Sequence, residues 1–163
     1  MVASGGMFRA AIGPFTGLVT LLRGSVFDPN RRGYEAWECS GSVKGRAVPV
    51  LVFHGDEDPF VDPDNGEQTV RQFAQTNDYG DDGIDNDSVP FAPTDIETGR
   101  AGPQGLRFTR RDYRYGGRLL VQYWEVHGLG HQWSGGDPDY PFAERRRPDE
   151  TAVMWEFFRQ HRR

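Results

Sequence analysis

The run VPVLVFH at residues 48–54 constrains this chain more than any other feature. Its apolar, β-branched residues do not alternate with polar ones, so neither face is meant for water. That is the signature of a strand in a parallel sheet covered on both sides. The run ends in Gly55-Asp56-Glu57-Asp58-Pro59, residues that strands exclude and turns use. A helix is expected over residues 65–76, where Val70, Phe73 and Ala74 recur at i, i+3 and i+4. Asp62 and Asp64 lie at its start, where the helix dipole favours negative charge. Strand, acidic turn and helix make half of a βαβ unit. The fold class read from this is α/β, with a mostly parallel sheet and flanking helices.

Further along, residues 109–115 and 118–126 are β-rich and joined by Gly116-Gly117, the pattern of a β-hairpin. The second run leads into His127-Gly128-Leu129-Gly130-His131, another glycine-rich loop. Residues 149–161 read as a terminal helix with Asp149 as N-cap and Ala152, Met154, Trp155 and Phe158 on its buried face. The first thirty residues predict a glycine-rich start, a short apolar helix and a turn at Asp28-Pro29-Asn30. Tyr34 and Trp37 then anchor a polar stretch. Residues 77–105 lack apolar periodicity and hold seven acidic residues against one Arg, so an exposed loop is expected there. As a calcium loop starting at Asp78 it would carry Gly80 and Val89 at two positions that need oxygen ligands. A solvated loop fits better.

With 163 residues the chain suits a single domain, and its net charge of −5 offers no broad basic surface for nucleic acid. No apolar stretch reaches the roughly 18 residues of a membrane span. Residues 9–22 have the outline of a signal peptide, but with one basic residue, an internal Pro14 and no small-residue cleavage motif after them. Cys39 is the single cysteine, which rules out an internal disulfide. It reads as a small core residue or as half of a disulfide to a partner outside this sequence.

Two loops carry titratable groups just beyond strand ends, where ligands bind in open parallel sheets. Asp58 follows one strand and His131 the other. A carboxylate that holds an imidazole, which in turn takes a proton from a hydroxyl, is the arrangement that activates a serine. The chain order, with Ser4 ahead of Asp58 and Asp58 ahead of His131, is the order of α/β-hydrolases. The plainer alternatives are a turn aspartate and a packed loop histidine. Trp133 is either a lining residue of a substrate cleft or a buried anchor.

The string VPVLVFHGDEDPFVDPDNGE resembles the acid loop of the polyhydroxybutyrate-depolymerase-like and feruloyl-esterase-like esterases, and YWEVHGLGHQWSGGDP resembles their histidine loop. The segments NDYGDDGIDNDSV, YRYGGRLLVQYW and MWEFF are also similar, so the resemblance runs from Trp37 onward. It implies a partial α/β-hydrolase fold, a serine carboxylesterase active on short-chain, polyester or feruloyl-type esters, and an extracellular bacterial protein without cofactor or metal. By this resemblance Asp58 is the triad acid and His131 the base. His54 and Gly55 shape the acid turn, and His127 serves orientation or packing.

The nucleophile departs from the family's Gly-x-Ser-x-Gly pattern. In Met1-Val2-Ala3-Ser4-Gly5-Gly6, aligning the paired glycines leaves Ala3 at the nucleophile position. Taking Ser4 as nucleophile leaves Val2 for the first glycine. Set against the family, residues 1–163 read as one N-terminally truncated domain, the C-terminal half of the fold. The expected partners are an ester substrate, including polymeric esters, and a second chain or copy meeting an open sheet edge. The alternative reading is a catalytically inactive remnant that acts as a binding or interaction module.

Overall fold

The computed structural model describes residues 1–161. Five strands form one sheet: β1 (Val2–Ala3), β2 (Val50–Gly55), β3 (Asp95–Arg100), β4 (Arg107–Tyr115) and β5 (Arg118–His127), in the spatial order β1-β2-β5-β4-β3. β1 pairs parallel with β2 and β2 parallel with β5, while β4 runs antiparallel to both of its neighbours. Four of the five strands therefore point the same way. The helices are α1 (Pro14–Arg23), α2 (Pro29–Cys39), α3 (Asp64–Asp82) and α4 (Glu150–Arg159). Two short strands, β6 (Trp133–Ser134) and β7 (Ala143–Glu144), pair with each other apart from the main sheet.

The apolar run predicted as a doubly covered strand is β2, and all six of its residues are buried. Val50 and Val52 pack with Val70 and Ala74 of α3 and with Tyr113, Val121 and Tyr123. Leu51 and Phe53 point the other way, into a cluster with Phe108, Trp124, Val126, Leu129 and Phe157 of α4. Strand alternation thus divides the core into two layers, and each large β2 side chain contributes about 1.5–3 kcal/mol of burial. The hairpin also forms as expected, with Gly116 and Gly117 both at positive φ between β4 and β5.

Four expectations need correction. The acidic stretch 77–105 is not one loop: α3 continues to Asp82, and β3 lies within the stretch. Polar ties replace the apolar stripe there. Asn77 exchanges two hydrogen bonds with the backbone of Val48, and the buried Asp78 carboxylate accepts from the amides of Asn86 and Ser88 and from the Ser88 hydroxyl. β3 is an exposed edge strand joined to β4 by cross-strand ion pairs, Glu97 with Arg110 at 3.0 Å and Asp95 with Arg114 at 3.3 Å. Asp28-Pro29-Asn30 is not a free turn but the start of α2, where the Asp28 carboxylate accepts the Asn30 amide.

In α4, Asp149 caps the helix as predicted, accepting from the Ala152 amide at 2.9 Å. The buried face is Phe157 with Val153, Met154 and Phe158, whereas Ala152 and Trp155 are exposed. The i, i+4 pairs 153/157 and 154/158 form the contiguous stripe that one neighbouring sheet can cover. Cys39 is exposed at the end of α2 rather than part of the core. Tyr34 and Trp37 do anchor α2, each against Tyr79 of α3. α1 leaves Phe15, Leu18, Leu21 and Leu22 exposed. No helix among the described residues is long and apolar enough to cross a membrane.

Gly55 closes β2 against the loop after β5, and a Cβ there would stand 2.0 Å from the Leu129 carbonyl oxygen. Gly55→Ala is therefore expected to lower the unfolding free energy by more than about 2 kcal/mol. Urea titration of the purified variant measures this. An unchanged midpoint would mean the two loops separate without cost.

Candidate active site

β2 and β5 run parallel and end side by side, so the loops that follow them emerge together. Past the strand ends the Asp56 amide donates to Val126 and the Glu57 amide to Leu129, which stitches one loop to the other. The turn then brings the Asp58 side chain inward, with no exposed surface. Asp58 Oδ1 accepts the backbone amides of Phe60 and Val61, both at 2.9 Å, and Oδ2 accepts from His131 Nδ1 at 2.8 Å. Burial pushes the Asp58 carboxyl up. The amides of Val61 and Phe60 and the His131 ring together outweigh it, and the carboxyl sits below its ordinary range. It is an anion at neutral pH with both oxygens occupied.

His131 projects from the β5 loop, about one-third exposed. Its ring meets Phe60 and Phe142 edge-on, at centroid distances of 5.6 and 5.9 Å. With Nδ1 held by Asp58, the tautomer that leaves Nε2 free as a base is the favoured one. His54 lies beneath this pair, fully buried, with Nε2 donating to the Val61 carbonyl at 2.9 Å. Burial lowers its pKa. It therefore stays neutral and buttresses the loop whose amides hold Asp58.

Ser4 follows β1, whose residues pair with Val52 and Phe53 of β2, and its amide donates to the Phe53 carbonyl at 2.9 Å. Its φ is +43°, in the left-handed region that a non-glycine residue seldom enters. A tight reversal of this kind after a strand lifts a side chain out of the sheet plane. Of the two residues that could align with a nucleophile, Ala3 lies in the strand and Ser4 at the reversal. No helix follows this reversal directly, since α1 begins only at Pro14.

Ser4 and His131 line one cavity of about 300 Å³, together with Ala3, Gln132, Trp133, Phe142 and Glu150. Ser4 and His131 thus face the same space with Asp58 behind the imidazole, and among the described residues no hydrogen bond joins the Ser4 hydroxyl to His131. Trp133 lines the cavity and is also anchored, its indole N–H donating to Thr151 at 3.1 Å. Among the described residues no hydrogen bond engages the Gly5 amide. The sequence did not single out Phe60, Phe142 or Glu150. The first two stand in polar loops, and Glu150 has the look of an ordinary acidic residue in a first helical turn.

His127, the other histidine of the β5 loop, belongs to a separate cluster. Its Nδ1 bonds Asp56 at 2.7 Å, its other ring nitrogen meets the Thr109 hydroxyl at 2.9 Å, and Asp56 also accepts the Gly128 amide. This arrangement ties the end of β5 to β4 and to the loop after β2, beside a cavity separate from that of Ser4 and His131. No three His, Cys, Asp or Glu side chains among the described residues converge as a metal set.

Glu150 is 1 % exposed. Burial pushes its carboxyl up to about 7, against a smaller lowering by the Ser134 amide. The folded protein therefore holds this proton more tightly than the unfolded chain, whose Glu titrates near 4.5. Stability from this group is complete below that value and is lost as pH rises through about 7. Relative to Glu150→Gln, the wild type is expected to lose on the order of 3 kcal/mol between pH 4.5 and 8. Parallel stability curves for the two proteins, measured by denaturant titration at each pH, would contradict this.

A scan of protein-family models and a search of curated proteins both returned no match to this chain.

Proposed function

We propose that this protein is a serine carboxylic-ester hydrolase of the polyhydroxybutyrate-depolymerase-like and feruloyl-esterase-like type, with a partial α/β-hydrolase fold. The observation that carries the reading is the Asp58–His131 hydrogen bond behind a cavity that His131 shares with Ser4. A buried carboxylate, an imidazole with its second nitrogen free and a hydroxyl at a strained turn are the parts that nucleophilic acyl transfer requires.

The reaction follows from these parts. His131 Nε2 takes the Ser4 hydroxyl proton as Oγ attacks the ester carbonyl carbon. Asp58 stabilises the imidazolium that results, and the Gly5 amide is the donor available to the carbonyl oxygen as it becomes an anion. Collapse of the tetrahedral intermediate breaks the bond to the alcohol, which leaves with the proton from His131. Water then attacks the acyl-Ser4 ester and gives its proton to the same nitrogen. The second collapse breaks the bond to Ser4, returns that proton to Oγ and frees the carboxylic acid. Phe60 and Phe142 restrict the imidazole to the rotamer this cycle needs, and Trp133 offers an apolar wall to the substrate.

Ser4→Ala and His131→Ala are each expected to lower kcat for a short-chain p-nitrophenyl ester by roughly four orders of magnitude, and the double variant by no more than either alone. His127→Ala, outside the cavity, serves as the comparison and is expected to retain turnover. Unchanged hydrolysis in His131→Ala would overturn the assignment. A wild type without turnover would favour the alternative of an inactive binding module.

A further inference from the structure

The proposed acyl-transfer steps use Ser4, His131, Asp58 and a backbone amide. They give no task to the one acidic group on the cavity wall. Glu150 lines the same cavity as Ser4 and His131, is 1 % exposed, and carries the only carboxylate among the lining residues. Its Oε2 accepts the Ser134 amide at 3.3 Å. Among the described residues its buried Oε1 has no hydrogen-bond partner, and no ion pair neutralises the group. A buried polar atom left without a partner costs about 1–3 kcal/mol, more when charged. The helix cap does not require Glu150, since the Asp149 carboxylate accepts the Ala152 amide. A ligand that brings a hydrogen-bond donor to Oε1 removes that cost.

We propose that Glu150 is a specificity-determining residue that accepts a hydrogen bond from a hydroxyl group carried by the ester bound between Ser4, His131 and Trp133. A hydroxyl suits the site better than an ammonium group for two reasons. His131 becomes an imidazolium during each proposed turnover, and a cationic ligand in the same cavity would oppose it. The remaining lining residues, Ala3, Ser4, Gln132, Trp133 and Phe142, add no negative charge. A hydroxyl also satisfies Glu150 in either protonation state, because both forms present an accepting oxygen. The cavity of about 300 Å³ holds a small hydroxylated acyl or alcohol portion beside the aromatic wall.

The proposal rests on reading this cavity as an ester site, so its test is made separable from catalysis. In Ser4→Ala, affinities are compared by NMR titration for two matched pairs. One pair, methyl lactate and methyl propanoate, varies the acyl side; the other, 2-hydroxyethyl butanoate and propyl butanoate, varies the alcohol side. The hydroxylated member of at least one pair is expected to bind about tenfold more tightly. Adding Glu150→Leu is expected to bring that ratio to about one, while Glu150→Gln, which keeps an accepting oxygen, retains most of it. Equal affinities within both pairs in Ser4→Ala overturn the proposal without any change at Glu150. A preference that survives Glu150→Leu overturns it as well. A preference lost with Glu150, in a protein whose wild type cleaves none of these esters, keeps the inference and overturns only the esterase reading.

Discussion

The contact between the ends of β2 and β5 governs the rest of the molecule. Gly55 has no side chain, so the Leu129 carbonyl comes within a distance that any Cβ would forbid. The Asp56 and Glu57 amides then pair across to Val126 and Leu129, and the two loops travel together away from the sheet. Only in that arrangement does Asp58 reach His131 at 2.8 Å while its other oxygen takes the Phe60 and Val61 amides. The buried layers on the two faces of β2 supply the rigidity behind this contact. A candidate site built on strand ends inherits its precision from the packing beneath it.

Polar groups are treated very differently on the two sides of the imidazole. Behind it, Asp58 is fully hydrogen-bonded and held ionised. In front of it, Glu150 is buried with one free oxygen and its carboxyl pushed up to about 7. Two amides and an imidazole fix the first carboxyl as an anion, while burial against a single amide leaves the second holding its proton up to about pH 7. The Asp56–His127–Thr109 cluster is a second carboxylate–imidazole–hydroxyl chain at the same end of the sheet, beside a separate cavity of about 430 Å³. Burial of the carboxylate distinguishes the two: the Asp58 side chain has no exposed surface, whereas that of Asp56 is about one-third exposed.

Much of the framework was legible from the residues because it rests on apolar pattern and turn chemistry. The unbroken run at 48–54 announced β2, and Gly116-Gly117 announced the hairpin. The loops bearing Asp58 and His131 stood out by their position after strands. What pattern could not show was structure held by polar side chains. The end of α3 depends on Asn77 and Asp78 reaching Val48 and Ser88, and β3 depends on ion pairs across an exposed edge. The left-handed backbone at Ser4 was equally hidden, because a backbone angle is not written in composition. Glu150 escaped notice for a related reason: an acidic residue in a first helical turn is ordinary until its burial is known.

The most direct test of the central claim is labelling of the wild-type chain with a fluorophosphonate, followed by peptide mapping. The reagent phosphonylates a serine only where a base activates it and nearby donors stabilise the anion that forms. The expected result is stoichiometric label on Ser4 that disappears in His131→Ala. Label on another residue, label that persists without His131, or no label on folded protein would contradict the assignment of Ser4, His131 and Asp58 as one catalytic unit.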